Sequence, residues 1–172
     1  MDTRKFAMTY GAVLGAVLSV IALIIWNLGI DENQVIVPVL NSVLIIAFLS
    51  YAIIQYRNEH NGGFISYSES LKLGTTVAFF SSVILAFYQF VFISYINPSA
   101  LSEVMSVAEQ AILEANPEIS DEELEMRLEM MTKFSQPHWM MIMGVLGGTF
   151  MGFLYSLIIS IFVKNEDPNL ID

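Results

Sequence analysis

Four stretches of the chain, each about twenty residues long and nearly free of charge, constrain the fold more than any other feature. That is the length at which an α-helix, rising about 1.5 Å per residue, crosses a hydrocarbon core of about 30 Å. The runs extend from about Phe6 to Leu28, Val35 to Gln55, Leu73 to Ile96 and Trp139 to Val163. A soluble bundle with very apolar helices is the alternative, and it fails because helices apolar on every side leave no face for water. The expected fold is an all-α membrane protein, a single membrane domain over residues 1–172 with four transmembrane helices. A short two-helix acidic extracytoplasmic segment, 97–137, separates the third span from the fourth.

Local signals place the boundaries. Arg4 and Lys5 precede the first run as they would in a signal peptide, but the run is longer than an h-region and Asn27-Leu28-Gly29 is a poor cleavage site, so a retained span is expected. A turn from Gly29 to Asn33, carrying Asp31 and Glu32, leads into the second run. Val35, Ile36, Val37, Val39 and Val43 favour a strand locally. The apolar character nevertheless persists through Phe48-Leu49, beyond the reach of a soluble strand. Pro38 then falls in the first helical turn, where its missing N–H costs least. Tyr56 to Lys72 reads as a polar connection, flexible at Gly62-Gly63, with Ser66 and Glu69 at capping-box spacing for the third helix. Asn97-Pro98 ends that helix and Pro137-His138 precedes the fourth. Tyr10, Trp26, Tyr51, Tyr56, Tyr95 and Trp139 lie near span ends, as in an interfacial aromatic belt.

With four spans, both termini and the Tyr56 to Lys72 connection share one side of the membrane. That side carries Arg4, Lys5, Arg57, Lys72 and Lys164, against Arg127 and Lys133 on the other. The positive-inside rule assigns it to the cytoplasm.

Hydrophobicity inserts helices but does not hold them together in lipid, so the positions of small residues are informative. Gly144, Gly148, Gly152, Ser156 and Ser160 recur at intervals of four on the fourth helix, as do Gly74, Ala78, Ser82 and Ala86 on the third. The first has a shorter series in Gly11, Gly15 and Ser19. These faces allow close backbone approach within one bundle or between protomers, and a glycine-lined conduit is the functional alternative. Asn41 and Gln89 are the polar residues expected to pair inside the spans, with Tyr88 adjacent. No charged residue or histidine falls in the middle of a span, which counts against proton pumps and charge-coupled carriers.

The segment 97–137 holds nine carboxylates, Glu103, Glu109, Glu114, Glu118, Asp121, Glu122, Glu123, Glu125 and Glu129, against two basic residues, a balance of −7. Leu101, Val104, Met105, Ala108, Ala111 and Ile112 form an apolar stripe on a helix from about Ser99 to Ala115, ended by Asn116-Pro117. A second helix begins near Ser120, capped with Glu123, and carries Leu124, Leu128 and Met131 on one face. Asp121-Glu122-Glu123-Leu124-Glu125 lacks the glycine and ligand spacing of an EF-hand and suits a helix N-terminus. Weak cation binding or a basic protein partner are the functional readings of the same charge. His60 and His138 fall on opposite sides of the membrane and so form no shared metal site within a protomer.

The chain has no cysteine, which removes disulfides, thiolate catalysis and cysteine-ligated metals. Its net charge of −10 argues against nucleic acid as a partner. The carboxylates are unaccompanied by a nucleophile or metal-ligand cluster, so no catalytic, cofactor-binding or metal-binding residue is assigned.

The segment Asn61-Gly62-Gly63-Phe64-Ile65-Ser66-Tyr67-Ser68-Glu69-Ser70-Leu71-Lys72-Leu73-Gly74, followed later by Tyr95-Ile96-Asn97-Pro98, resembles the small bacterial membrane proteins of domain of unknown function 4199, found mainly in Bacteroidota. The likeness extends over essentially the whole chain: a basic start, four spans, a glycine-rich inner connection and a longer loop before the last helix. It implies a bacterial inner-membrane location and carries over no activity, cofactor or site residue. The expected role is noncatalytic, structural or accessory, with a homo-oligomer through the glycine and serine ridges as one assembly and the acidic segment as a contact surface for a protein. A small channel or carrier for a solute or ion is the alternative, with Asn41, Gln89 and the small-residue faces lining its passage.

Overall fold

The computed structural model describes residues 2–30 and 35–166. It is helical, in the order α1 (Thr3–Asn27), α2 (Ile36–His60), α3 (Tyr67–Val91), a π-helical segment (Phe92–Ile96), α4 (Ala100–Ala115), α5 (Asp121–Phe134) and α6 (Pro137–Val163). Among the described residues four helices are long and apolar enough to cross a membrane: Thr3–Asn27, Ile36–His60, Tyr67–Ile96 and Pro137–Val163. Among the described residues the extended pairing is one isolated bridge, between Ile65 and Asn165. The chain divides into two compact units, one built from residues up to Leu85 with those from Gly144 onward, the other Ala86–Met143.

The helices exceed the apolar runs at several ends, because hydropathy marks where lipid stops and capping marks where a helix stops. Asp2 accepts the Arg4 N–H at 3.2 Å and starts α1 ahead of Phe6. Polar residues from Gln55 to His60 continue α2, with Gln55 donating to Glu59 one turn on. The non-helical connection is thus only 61–66, not Tyr56 to Lys72. Ser66 and Glu69 close a full capping box: Ser66 N–H donates to Glu69 Oε2 at 3.0 Å and Glu69 N–H to Ser66 Oγ at 3.3 Å. Pro137 is the first residue of α6, where it displaces no helical donor. Gly62 and Gly63 turn the chain with φ of 64° and 89°. Asp31, Glu32 and Asn33 lie outside the described residues.

In the first unit, ring contacts and one hydroxyl bond set α1 against α2. Thr3 Oγ1 and Tyr56 Oη are 2.6 Å apart, Phe6 meets Tyr56 and His60, and Tyr10 meets Phe48 and Tyr51. Positions ascending α1 descend α2, so the pair is antiparallel. Val39, Val43, Leu146, Phe150 and Ile158 stay exposed, as does Phe162 at 81%. Apolar surface this extensive on every span suits a hydrocarbon solvent.

In the second unit, α3 ends through the π-helical segment, whose last bond runs from Asn97 N–H to Phe92 O at 2.8 Å. α4 and α5 pack on each other. Their half-buried residues are Ala100, Leu101, Met105, Ala108 and Ile112 on one and Leu124, Leu128 and Met131 on the other. Val104 and Ala111, expected in the stripe, are exposed, because the seam is one residue wide and they fall on its flank. Ser120 caps α5 by accepting Glu123 N–H at 3.3 Å, while the Glu123 carboxylate turns to Arg127 at 2.6 Å.

Candidate functional site

The small-residue faces of α3 and α6 meet in antiparallel register within one chain. Ser70 faces Ser160, Gly74 faces Ser156, Ala78 faces Gly152 and Ser82 faces Gly148. Each step of four on α3 is matched by a step of four back along α6, so the backbones stay close along the seam. A Cβ on Gly148 would lie 2.7 Å from Ser82 Cβ, and one on Gly152 would overlap Ala78 Cβ. The neighbouring Gly147 faces open space.

The first helix uses a different fit. A Cβ on Gly11 would come within 2.5 Å of Phe80 Cβ and 2.6 Å of Val77 O, and one on Gly15 within 2.7 Å of Ile84 Cβ and Ser81 O. Here glycines on α1 make hollows for larger residues of α3, and the two helices run parallel. α3 is therefore the shared element, meeting α6 with one face and α1 with another.

The seam is also a ladder of hydroxyls, each with a partner inside the unit. Ser160 donates to Ser70 at 2.9 Å, and both residues are 0% exposed. Ser156 donates to Gly152 O at 2.7 Å. Ser82 Oγ lies 3.1 Å from Thr149 Oγ1, whose proton goes to Val145 O at 2.6 Å. Tyr155 donates to Ser42 on α2 at 3.0 Å. Ser70→Ala is expected to lower stability in detergent micelles by about 1 kcal/mol, the usual worth of an interhelical hydroxyl bond. An unchanged unfolding midpoint would show the Ser70–Ser160 bond to be incidental.

At the end where α2, α3 and α6 meet the 61–66 turn, Arg57 Nη1 donates to Val163 O at 2.9 Å and so caps α6. Ile65 and Asn165 exchange backbone bonds of 2.8 and 2.9 Å, and Asn165 Nδ2 reaches Gly63 O at 2.8 Å. The polar residues just past α6 thus clasp the glycine turn. Sequence reading passed over this clasp, since a single arginine and asparagine carry no spacing signal.

The polar span residues and the two histidines noted in the sequence have the following places among the described residues. Asn41 is half-buried in the first unit, and Gln89 is an exposed residue of the second. His60 stacks on Tyr56, with ring planes 4° apart, and its Nδ1 is buried without a hydrogen-bond partner among the described residues. His138 lies against Trp139. No group of three His, Asp or Glu residues near enough to hold a metal ion occurs among the described residues. On the α4–α5 hairpin, a groove of about 510 Å³ lined by Leu101, Met105 and Leu128 holds a single carboxylate, Glu109. A second, of about 470 Å³, sets Glu118 and Glu123 beside Arg127, which pairs with Glu123.

No curated protein and no solved structure gives a significant match to the chain. A family model described as Protein of unknown function (DUF4199) matches residues 9–165, from the first turns of α1 to the clasp residue Asn165. Four membrane-length helices and a match over nearly the whole chain make this protein a member of the DUF4199 family.

Proposed function

We propose that this chain is a noncatalytic structural or accessory protein of a bacterial inner membrane, with cytoplasmic termini and the α4–α5 hairpin as an extracytoplasmic contact surface. The observation that carries the reading is the α3–α6 seam: its fully buried serines spend their hydrogen bonds on each other and on backbone carbonyls. A solute path wants polar groups turned towards a lumen, whereas these are turned into a contact. The hairpin supports the accessory role by combining its charge of −7 with exposed Val104, Val107, Met126, Met130 and Phe134. A partner with basic and apolar groups would complement both.

Protein reconstituted into vesicles should leave ion and small-solute permeability at the level of empty vesicles. A solute-selective flux that disappears in Gly148→Leu would establish the channel or carrier reading instead. Orientation has its own test, made simple by the absence of cysteine. Glu114→Cys on α4 should react with a membrane-impermeant maleimide added to the extracytoplasmic side. Reaction only from the cytoplasmic side would overturn the topology.

A further inference from the structure

We propose that the cleft between the start of α1 and the start of the apolar part of α3 binds the headgroup phosphate of an anionic phospholipid. α1 and α3 run parallel with a fixed offset, set by Gly11 against Val77 and Phe80 and by Gly15 against Ser81 and Ile84. Carried back two turns along both helices, the same offset puts Arg4 level with Lys72. A cavity of about 300 Å³ opens there, lined by Asp2, Thr3, Arg4, Lys72, Leu73 and Thr76.

The two cationic side chains of this cleft are unspent among the described residues. The ion pairs among the described residues are Arg127 with Glu123 and Lys164 with Glu166, so Arg4 and Lys72 carry free guanidinium and ammonium groups. The hydroxyls are already engaged, Thr3 with Tyr56 and Thr76 with Lys72 O. They shape the walls and leave binding to the two cations. Asp2 opposes an anion, although its carboxylate is partly occupied by the Arg4 N–H at 3.2 Å. The lining keeps a net charge of +1, with Lys5 adjacent.

Depth selects a lipid over a soluble phosphate. Lys72 is the last charged residue before the apolar length of α3, and Lys5 holds the same position on α1. The floor of the cleft, Leu73, is 1% exposed, and deeper on the same two helices Met8 and Phe79 remain exposed. Cations at the hydrocarbon boundary meet phosphates at the level where headgroups lie, and the apolar surface beyond them suits an acyl chain.

The test is native mass spectrometry of the full chain in detergent micelles, titrated with phosphatidylglycerol or phosphatidylcholine of matched acyl chains. One phosphatidylglycerol should be retained with a preference on the order of tenfold. Arg4→Gln with Lys72→Gln should bring the two lipids to parity, while Lys164→Gln, at a cation already paired with Glu166, should leave the preference intact. Asp2→Asn keeps a capping oxygen and removes the opposing charge, so it should strengthen retention even if the double variant folds poorly. Parity in the unmodified protein, equal loss in Lys164→Gln, or weaker retention in Asp2→Asn would overturn the proposal. Displacement of the lipid by millimolar glycerol phosphate as readily as by phosphatidylglycerol would make the ligand a soluble phosphate and would overturn the lipid assignment.

Discussion

Gly152→Leu is expected to destabilise the four-span unit by about 3 kcal/mol or more, read as a large fall in the unfolding midpoint in micelles. Gly152 is buried, and the atom its first side-chain carbon would overlap is Ala78 Cβ. Neither group has a torsion that could move it aside, so the helices must separate. Separation would also pull Ser160 from Ser70 and Gly148 from Ser82, because all three contacts belong to one register. Lipid offers the parted hydroxyls no partners, so the cost spreads beyond the substituted residue. The same leucine at Gly147, which faces open space, should change stability by less than about 0.5 kcal/mol. Leucine improves both helix propensity and insertion relative to glycine, so a comparable loss at both positions would mean that the cost does not come from the seam.

A single methyl should suffice on the first helix. Gly11→Ala places its Cβ 2.5 Å from Phe80 Cβ and 2.6 Å from Val77 O. The expected loss is about 2 kcal/mol, since a backbone carbonyl cannot rotate away and α1 must shift as a body. Combining it with Phe80→Ala should not restore stability, because the atoms in the way are the Phe80 Cβ and the Val77 backbone, which alanine keeps. Full rescue by Phe80→Ala would show that the aromatic ring sets the α1–α3 distance.

These two contacts mark what could and could not be read from the residues. The recurrence of Gly148, Gly152, Ser156 and Ser160 shows that α6 has a small-residue face, because 3.6 residues per turn nearly aligns positions four apart. It does not show the offset at which that face meets another, which depends on the length of everything between the helices. The series Gly74, Ala78 and Ser82 likewise identifies one face of α3, the one turned to α6. The face turned to α1 escaped notice because its contacts are Val77, Phe80 and Ile84, residues equally suited to lipid. In the first seam small meets small, and in the second glycine receives a larger side chain.

The span ends show the same division. Length and hydropathy placed the four apolar runs, while the helical continuation of α2 to His60 rests on polar residues that lipid does not select. Ser66 with Glu69 was legible as a cap because both partners are local. Arg57 with Val163 and Ile65 with Asn165 were not, because more than ninety positions separate each pair. Among the described residues, the buried hydroxyls along the seam bond one another or backbone carbonyls.

The ridges of α3 and α6 close on each other within one chain, in a fixed register. Ser70→Cys with Ser160→Cys probes this register, since the native oxygens are 2.9 Å apart and the background is free of cysteine. Mild oxidation of the double variant in membranes is expected to give an internal disulfide that migrates as monomer, with none formed by Ser70→Cys with Gly147→Cys. Disulfides found only between chains, or no disulfide at the Ser70 and Ser160 positions, would contradict the account.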